Sequence, residues 1–294
     1  MNLLRAEEIL AGSRRALALQ PLLELAEAAL RTWEPRWSPL LDGALREEAE
    51  QRLGGLSELS LASWGGYPGA ERRCLLLQRR EAAVEIEQLD AGLLGLEISG
   101  NFLFDPADPE DLRAGLRAAL ADRGSVAPAA TAVPQAQTGP AGEAGSGGGG
   151  GDIEASLGDL WMRGDRGGQG ILLAAAAGWL DGRMGLVRSV PVRFEARPLA
   201  ELQLPAQRLP RRLQSVEASL RLDAVASAGF GVSRSRMAER IRRGAVRIDW
   251  QPVTSPSREL VVGERVQLEG RGELMIRAIQ ATQRGRWRVE MERR

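Results

Sequence analysis

Apolar positions in the first part of the chain recur at the spacing of a helix. Leu19, Leu22, Leu23 and Ala26 follow this spacing in a stretch dominated by Leu, Ala and Glu. Proline residues on either side of Trp37 end the pattern, because proline breaks a helix interior. We therefore predict a helical amino-terminal region over residues 1–63.

After residue 63 the pattern changes to short apolar runs separated by turns. The predicted strands cover residues 73–77, 83–87, 93–98, 157–162, 169–174 and 186–196. One helix is predicted to begin after Asp108, which suits an N-cap in front of Pro109, and a second covers residues 175–184. This alternation predicts an α+β domain of the split βαβ kind over residues 64–197.

Two segments have the composition of connecting chain. Residues 124–151 contain nine Gly, three Pro and seven Ala, with Glu143 as the only charge, and cannot bury enough surface to offset their ordering entropy. We expect protease to cut there first, while composition leaves open an interdomain linker or an insertion within one domain. Residues 198–212 contain three prolines, and we predict that this segment is a linker to a last domain at 213–290.

The missing residue types exclude most familiar catalysts. All 39 basic residues are Arg, because the chain contains no Lys and no His. A Ser-His-Asp triad, an HExxH zinc site, a P-loop lysine and a Schiff-base lysine are therefore excluded. The single Cys74 lies in an apolar run and is predicted to be a small buried hydrophobic residue. We expect no cofactor and no metal site.

The same features bear on location. A single cysteine favours a reducing compartment. Charges interrupt every apolar run near the amino terminus, and no run approaches the roughly 20 residues that span a bilayer. We expect a cytoplasmic protein without membrane insertion.

The formal net charge of zero conceals two oppositely charged halves. Residues 1–204 hold 20 Arg and 29 Asp plus Glu, a net charge of −9, whereas residues 205–294 hold 19 Arg and 10 acids, a net charge of +9. A compact basic unit is typical of polyanion binders. Charge alone leaves an ordinary solvated basic surface equally open.

Residues 219–268 contain the candidate binding residues. Ser219 is predicted to cap one helix and Ser233 or Ser235 a second, on which Arg236, Arg240 and Arg243 share a face. The candidate polyanion-binding residues are Arg221, Ser233, Arg234, Ser235, Arg236, Arg240, Arg243 and Arg247, with Arg242 extending the surface. We expect Arg236 and Arg240 to be exposed. Arginine suits this role because its guanidinium binds phosphate with two parallel hydrogen bonds.

These residues resemble a ribosomal protein S4-like RNA-binding domain. The matching features are Arg221-Leu222-Asp223, Gly229-Phe230, Ser233-Arg234-Ser235, Ile241, Gly244, Val246, Pro256-Ser257 and Gly263. The chain departs from the pattern at Asp249-Trp250, where the hairpin usually reads Asn-Gly, and this places a negative charge near the expected RNA surface.

Two further motifs resemble the YlmH-like family. They cover residues 65–73 and 97–105, and more narrowly they resemble its cyanobacterial and plastid branch, the photosystem II S4 domain proteins. The resemblance implies that the middle domain is RNA-recognition-motif-like, with 124–151 as an insertion. It also implies a non-catalytic protein that binds structured RNA, such as rRNA or a ribosome-associated complex, in translation or photosystem II biogenesis.

Two other functions stay open at this point. Similar RNA-binding modules are fused to RNA-modifying enzymes, although this chain lacks the His and Lys of synthetase signatures and a glycine-rich cofactor loop. Alternatively, the amino-terminal helical region docks a protein partner and the RNA module localises it. Trp33, Trp37 and Trp64 would then be either anchors or core residues.

Overall fold

A computed structural model describes residues 4–13, 15–122, 153–206, 209–268 and 271–294 of the chain. Residues 1–204 and 205–294 form two compact units, and both mix helix with sheet, which confirms the predicted α+β class. Within the described ranges, every helix is too short or too polar to cross a membrane. The low-complexity segment 124–151 lies outside the described residues.

The first unit begins with a layer of helices on a small sheet. Its elements are α1 (Ala6–Leu10), α2 (Ala16–Thr32), β1 (Arg36–Trp37), α3 (Gly43–Leu53), β2 (Leu59–Trp64) and β3 (Cys74–Arg79). The strands pair antiparallel in the order β1-β3-β2. The predicted apolar face of α2 is buried, with Leu19, Leu22, Leu23 and Ala26 in one core cluster. The amino-terminal region is thus helical as predicted, but β2 runs across the predicted boundary at residue 63.

A five-stranded antiparallel sheet follows. Its elements are β4 (Leu93–Ser99), α4 (Pro109–Ala121), β5 (Leu157–Met162), β6 (Gly167–Leu173), α5 (Ala174–Leu180), β7 (Met184–Val187) and β8 (Val190–Arg197). The strand order is β5-β6-β4-β8-β7. Without β7, the chain order is the β-α-β-β-α-β of the split βαβ motif. The strand predicted over 186–196 is instead the hairpin β7–β8.

Local chemistry explains one correct and one wrong prediction in this unit. The Asp108 carboxylate accepts hydrogen bonds from Glu110 N and Asp111 N, and Asp111 accepts one from Asp108 N, which is the capping box of α4.

The predicted strand at 83–87 is wrong. The Gln78 side chain bonds both the N–H and the carbonyl of Val84, so a neighbouring strand has no free partner there.

The sheet face opposite α4 and α5 is covered by other parts of the same unit. Ile171 of β6 and Leu93 of β4 pack with Cys74 and Leu202 in one cluster. Cys74 is fully buried, as predicted, and burial raises the pKa of its thiol to about 12. This thiol therefore stays protonated and packs as a hydrophobic residue.

The second unit packs two helices against a six-stranded antiparallel sheet. Its elements are β9 (Arg211–Glu217), α6 (Leu222–Phe230), α7 (Arg234–Arg242), β10 (Val246–Ile248), β11 (Gln251–Pro252), β12 (Arg265–Leu268), β13 (Gly272–Ala281) and β14 (Trp287–Arg293). The strand order is β11-β10-β12-β13-β14-β9. Pairing of β9 with β14 extends from Arg211↔Arg293 to Glu217↔Trp287, so the ordered unit reaches beyond the predicted 213–290.

Candidate nucleic-acid interface

The start of α6 is held by the loop that contains the Pro256-Ser257 motif. The N–H groups at the start of α6, which have no partner within the helix, donate to this loop. Leu222 N donates to Arg258 O at 2.7 Å and Asp223 N donates to Pro256 O at 3.1 Å. This explains why Pro256-Ser257 belongs to the pattern. Ser219 was predicted to cap α6, and that prediction is wrong because Arg221 occupies the N-cap position.

The start of α7 also differs in detail from the prediction. Ser233 occupies the N-cap position but makes no side-chain capping hydrogen bond. Its Oγ lies 3.4 Å from the Oγ of Ser235, so the two exposed hydroxyls sit side by side at the helix start. Gly231 and Gly244 adopt left-handed φ angles of 65° and 76° after α6 and α7, a backbone conformation that favours glycine at helix ends.

A buried carboxylate holds two of the predicted arginines together. Asp223 accepts hydrogen bonds from Arg221 Nε at 3.0 Å and from Arg234 Nε at 3.1 Å, and each guanidinium also reaches it through Nη2. Asp223 is 5% exposed, whereas the two arginines extend to the surface. We call these three residues the Asp223 clamp. The clamp joins the starts of α6 and α7 and carries a net charge of +1.

Burial alone would raise the pKa of the Asp223 carboxyl. The hydrogen bonds and charges of Arg221 and Arg234 outweigh it and hold the pKa below its ordinary value. Asp223 is therefore ionised at neutral pH and fixes the direction of both guanidinium groups. In the described part of the chain, Nη1 of neither arginine has a partner, which leaves donors for a further anion.

The outer face of α7 carries the remaining predicted arginines. Arg236 is exposed and Arg240 half-buried, and neither has an ion pair within the described residues. Arg243 instead pairs with Glu239 at 2.6 Å, one helical turn earlier. Arg247 on β10 is half-buried. The structure thus brings the predicted set onto one helix pair and its neighbouring strand, with different degrees of neutralisation.

The structure shows how the β10–β11 turn accommodates Asp249-Trp250 in place of the usual Asn-Gly. Asp249 and Trp250 have φ angles of 46° and 66°, so both central residues of the tight β10–β11 turn are left-handed without a glycine. The Asp249 carboxylate accepts from Arg265 N at 3.2 Å and pairs with Arg265 Nε at 3.4 Å. Its negative charge is therefore partly neutralised, which the sequence did not predict.

Three further arginines escaped the sequence reasoning, which stopped at the end of β12. Arg284, Arg286 and Arg288 are exposed at the tip of the β13–β14 hairpin. The cluster of three arginines in Arg284-Gly285-Arg286-Trp287-Arg288 was the available signal, because clustered cations are typical of polyanion-binding surfaces.

The middle sheet offers no stacking platform of the RNA-recognition-motif kind. In that motif, aromatic residues on two strands of the sheet stack RNA bases. Strands β4 and β6 contain no aromatic residue, and the face that Ile171 occupies is covered by Leu202. The Gln203 backbone reinforces this cover by donating to Gln169 and accepting from Trp161 Nε1.

The tryptophans of the amino-terminal layer are mainly structural. Trp37 and Trp64 pack against the core. Trp33 is 52% exposed and carries the Arg79 guanidinium carbon 4.0 Å from its ring centroid. A protein partner for this layer stays a prediction.

Two family models match the chain, one within each of its two compact units. Residues 16–82 match the family model described as YlmH, N-terminal, and residues 220–266 match the S4 domain. The chain thus contains one segment that is similar to the YlmH amino-terminal domain and another that is similar to the S4 domain. The S4 match spans α6, α7, the β10–β11 hairpin and the first half of β12, so the Asp223 clamp lies inside it. Strands β9, β13 and β14 lie outside it.

One curated protein and one solved structure are similar to parts of the chain. The chain is 29% identical over 124 residues to "Ribosome-associated protein quality control protein P2" of Bacillus subtilis, which is 42% of this chain and 48% of that protein. The match thus spans about half the length of that relative. A solved structure, "Cell division protein ylmH from Streptococcus pneumoniae", has a TM-score of 0.35 at 15% identity, covering 63% of this chain and 94% of the other. The narrower photosystem II branch stays a prediction.

Proposed function

We propose that this protein is a non-catalytic RNA-binding protein whose S4 domain holds structured RNA through arginine–phosphate contacts. The observation that carries the proposal is the set of surface arginines on α7 without carboxylate partners in the described residues, next to the Asp223 clamp. Unneutralised guanidinium groups on a rigid element attract phosphate and release counterions on binding.

The Asp223 clamp and the α7 face would play different roles. The clamp fixes Arg221 and Arg234 in one geometry, so their free Nη1 donors would add directional contacts. Arg236 and Arg240 would supply net positive charge, with the hydroxyls of Ser233 and Ser235 as neutral donors at the helix start. Phosphate contacts of this kind fix the position of RNA and do not read its sequence.

The choice of RNA rests on the similar protein of Bacillus subtilis. The name of that protein describes it as ribosome-associated, which favours rRNA or a ribosomal complex as the partner of this chain. A cytoplasmic location and a role in translation belong to the same proposal. A role in photosystem II biogenesis rests only on the resemblance of the sequence.

Crosslinking with sequencing of the bound RNA tests the choice of partner. We expect rRNA fragments to be enriched over other RNA when the full chain is crosslinked in cells. Enrichment of no RNA class over an uncrosslinked sample would contradict RNA binding. Mass spectrometry of RNA incubated with the protein separates binding from modification, because a binder leaves the RNA mass unchanged.

A further inference from the structure

The far end of the β13–β14 hairpin forms a groove outside the matched S4 domain. The hydrophobic core of the unit ends at the pair Ile279↔Val289, and the hairpin continues beyond it into solvent. An open groove of about 870 Å³ lies at this end. Its lining includes Val216, Gln280, Thr282, Arg284, Arg286 and Arg288.

The turn that closes this hairpin is held by its own hydrogen bonds. Thr282 N and Thr282 Oγ1 both donate to Arg286 O, at 2.7 and 3.0 Å. Arg286 N donates back to Thr282 Oγ1, and Gly285 takes a left-handed φ of 69° that completes the turn. The backbone that carries Arg284 and Arg286 is thus well defined, which lowers the entropy cost of binding.

The charge of the groove is not neutralised. No carboxylate lines it, and in the described residues Arg284, Arg286 and Arg288 make no ion pair. The opposite end of the same hairpin differs, because Arg277 and Arg294 both pair with Glu292 there, at 2.7 and 2.8 Å. Glu290 is the acid nearest along the strand to Arg288, two residues away on the same face, and it is exposed.

We propose that this end of the hairpin, the Arg284–Arg288 surface, is a second phosphate-binding site that holds the backbone of the same RNA. The inference rests on the proposed function and extends it to a part of the unit outside the S4 match. Arg286 and Arg288 both line the groove, so they present two cations to one ligand.

Two observations favour RNA over another polyanion. Trp287 lies between the two arginines and is 37% exposed on the other face of the strand, where it offers a stacking surface for a base. The surface also belongs to the same compact unit as α7. In the sheet, β14 lies three strand spacings from β10, and the register places Arg288 six residues farther along the strand direction than Ile248, so the two residues are roughly 25 Å apart. A folded RNA that spans this distance can contact both sites.

A charge-matched pair of double variants tests the second site in the full-length protein. Arg286→Gln with Arg288→Gln removes two unpaired cations from the groove. Arg193→Gln with Arg197→Gln removes two cations from the first unit, where both pair with Glu195. Binding of a fluorescently labelled rRNA stem-loop is measured by anisotropy over a salt series, with thermal unfolding as the folding control.

We expect the groove variant to have a shallower slope of log affinity against log salt. The change should be about 1.4 for single-stranded and about 1.8 for duplex contacts, with the first-unit variant unchanged. An equal change in both variants, or none in the groove variant, overturns the second site. So does a groove variant that loses binding to phosphatidylglycerol vesicles while its RNA binding is unchanged.

The variant Arg236→Gln with Arg240→Gln separates the two proposals. If it weakens RNA binding while the groove variant does not, the second site fails and the proposed function stands. If the parent protein does not bind RNA at all, both fail. A groove variant that does not fold is replaced by Arg284→Gln alone, since Arg284 lies in the turn outside the paired strand residues.

Discussion

The two units use arginine in opposite ways. In the first unit, acids outnumber arginines by nine, and some guanidinium groups pair with a carboxylate inside the fold. Glu154 alone pairs with Arg72, Arg113 and Arg117, at 3.3, 3.0 and 2.6 Å. In the second unit, arginines outnumber acids by nine, so one-to-one pairing leaves an excess that faces solvent or a partner.

The arginines of the first unit hold its two layers together. Arg72 donates to Leu157 O at 2.7 Å and to Glu154 O at 2.9 Å, which ties the loop before β3 to the strand β5. Asp159 accepts from Tyr67 Oη and from the backbone of the same loop. Burial, followed by repulsion from Arg113, lowers the pKa of the Arg72 guanidinium. These cations are used for structure and are withdrawn from any ligand.

In this molecule, the unit with the positive net charge also carries arginines that are free to bind an anionic ligand. The basic unit carries arginines without an ion pair in the described residues on the α7 face and at the hairpin tip. The acidic unit covers its middle sheet and pairs Arg72, Arg113 and Arg117 with one carboxylate. Both features lead to a single expectation, that RNA is bound by the second unit. The predictions below test this contrast.

Separating the two units should have the largest effect. We expect residues 205–294 to retain most of the RNA affinity of the full chain and residues 1–204 to retain little, because the isolated halves carry +9 and −9. Filter binding of each half at equal salt measures the difference. Circular dichroism establishes that each half is folded, and comparable affinity in the acidic half would overturn the assignment.

Breaking the Asp223 clamp should have the next largest effect. Asp223→Asn removes the charge that two guanidinium groups share, and we expect a loss of about 1–3 kcal/mol in the free energy of unfolding at pH 7. Urea unfolding measures this loss. The matched control is Glu239→Gln on the exposed surface of α7, which should cost less than about 0.5 kcal/mol.

The same pair of variants has a pH signature. The clamp holds the folded pKa of Asp223 below its ordinary value of 3.8, so its contribution is full above that value. The contribution is lost as the pH falls through the folded pKa. The stability difference between parent and Asp223→Asn should therefore shrink in acid. A difference that stays constant from pH 7 to about pH 2 would show that the clamp charge is not its source.

The salt dependence of RNA binding should distinguish free from paired arginines. If five arginines contact phosphate, log affinity should fall with log salt at a slope of roughly −3.5 to −4.5. Arg236→Ala and Arg240→Ala should each make this slope shallower by about 0.7–0.9. Arg243→Ala should change it less, because Glu239 already neutralises that charge.

Arg236→Ala and Arg240→Ala should both fold, but they should differ in their effect on stability. Arg236 is exposed, whereas Arg240 is half-buried where the sequence predicts exposure, so Arg240→Ala also removes packing of its aliphatic stem. Unchanged slopes in both variants, with folding intact, would move the RNA to another surface of the unit.

Local sequence rules predicted the elements better than the contacts between them. The α4 capping box and the buried face of α2 follow from residues within one or two turns of each other. The predicted strand at 83–87 failed because Gln78, in a preceding strand, occupies the backbone of Val84. Such a contact depends on the tertiary arrangement and leaves no periodic signal.

The candidate site shows the same division. Its residue types and helical face were predictable, but the Asp223 clamp joins positions 11 residues apart through helix packing. Sequence alone presents Asp223 as an ordinary acid in the first turn of a helix. The groove at the hairpin tip depends on β14 pairing with β9, some 70 residues earlier in the chain, which no local pattern indicates.

The smallest expected effect concerns the acid at the β10–β11 turn. Asp249→Asn should strengthen RNA binding slightly, because it removes a carboxylate, and with it a negative charge, from the turn beside Arg247. Stability should stay within about 0.5 kcal/mol, since Asn tolerates the left-handed φ of 46° and its amide oxygen still accepts from Arg265 N. The matched control is Asp90→Asn in the first unit, where an exposed aspartate likewise accepts a backbone N–H, from Gly92. An equal gain in both variants would mean that only net charge matters, whereas no gain in either would place the turn away from the RNA.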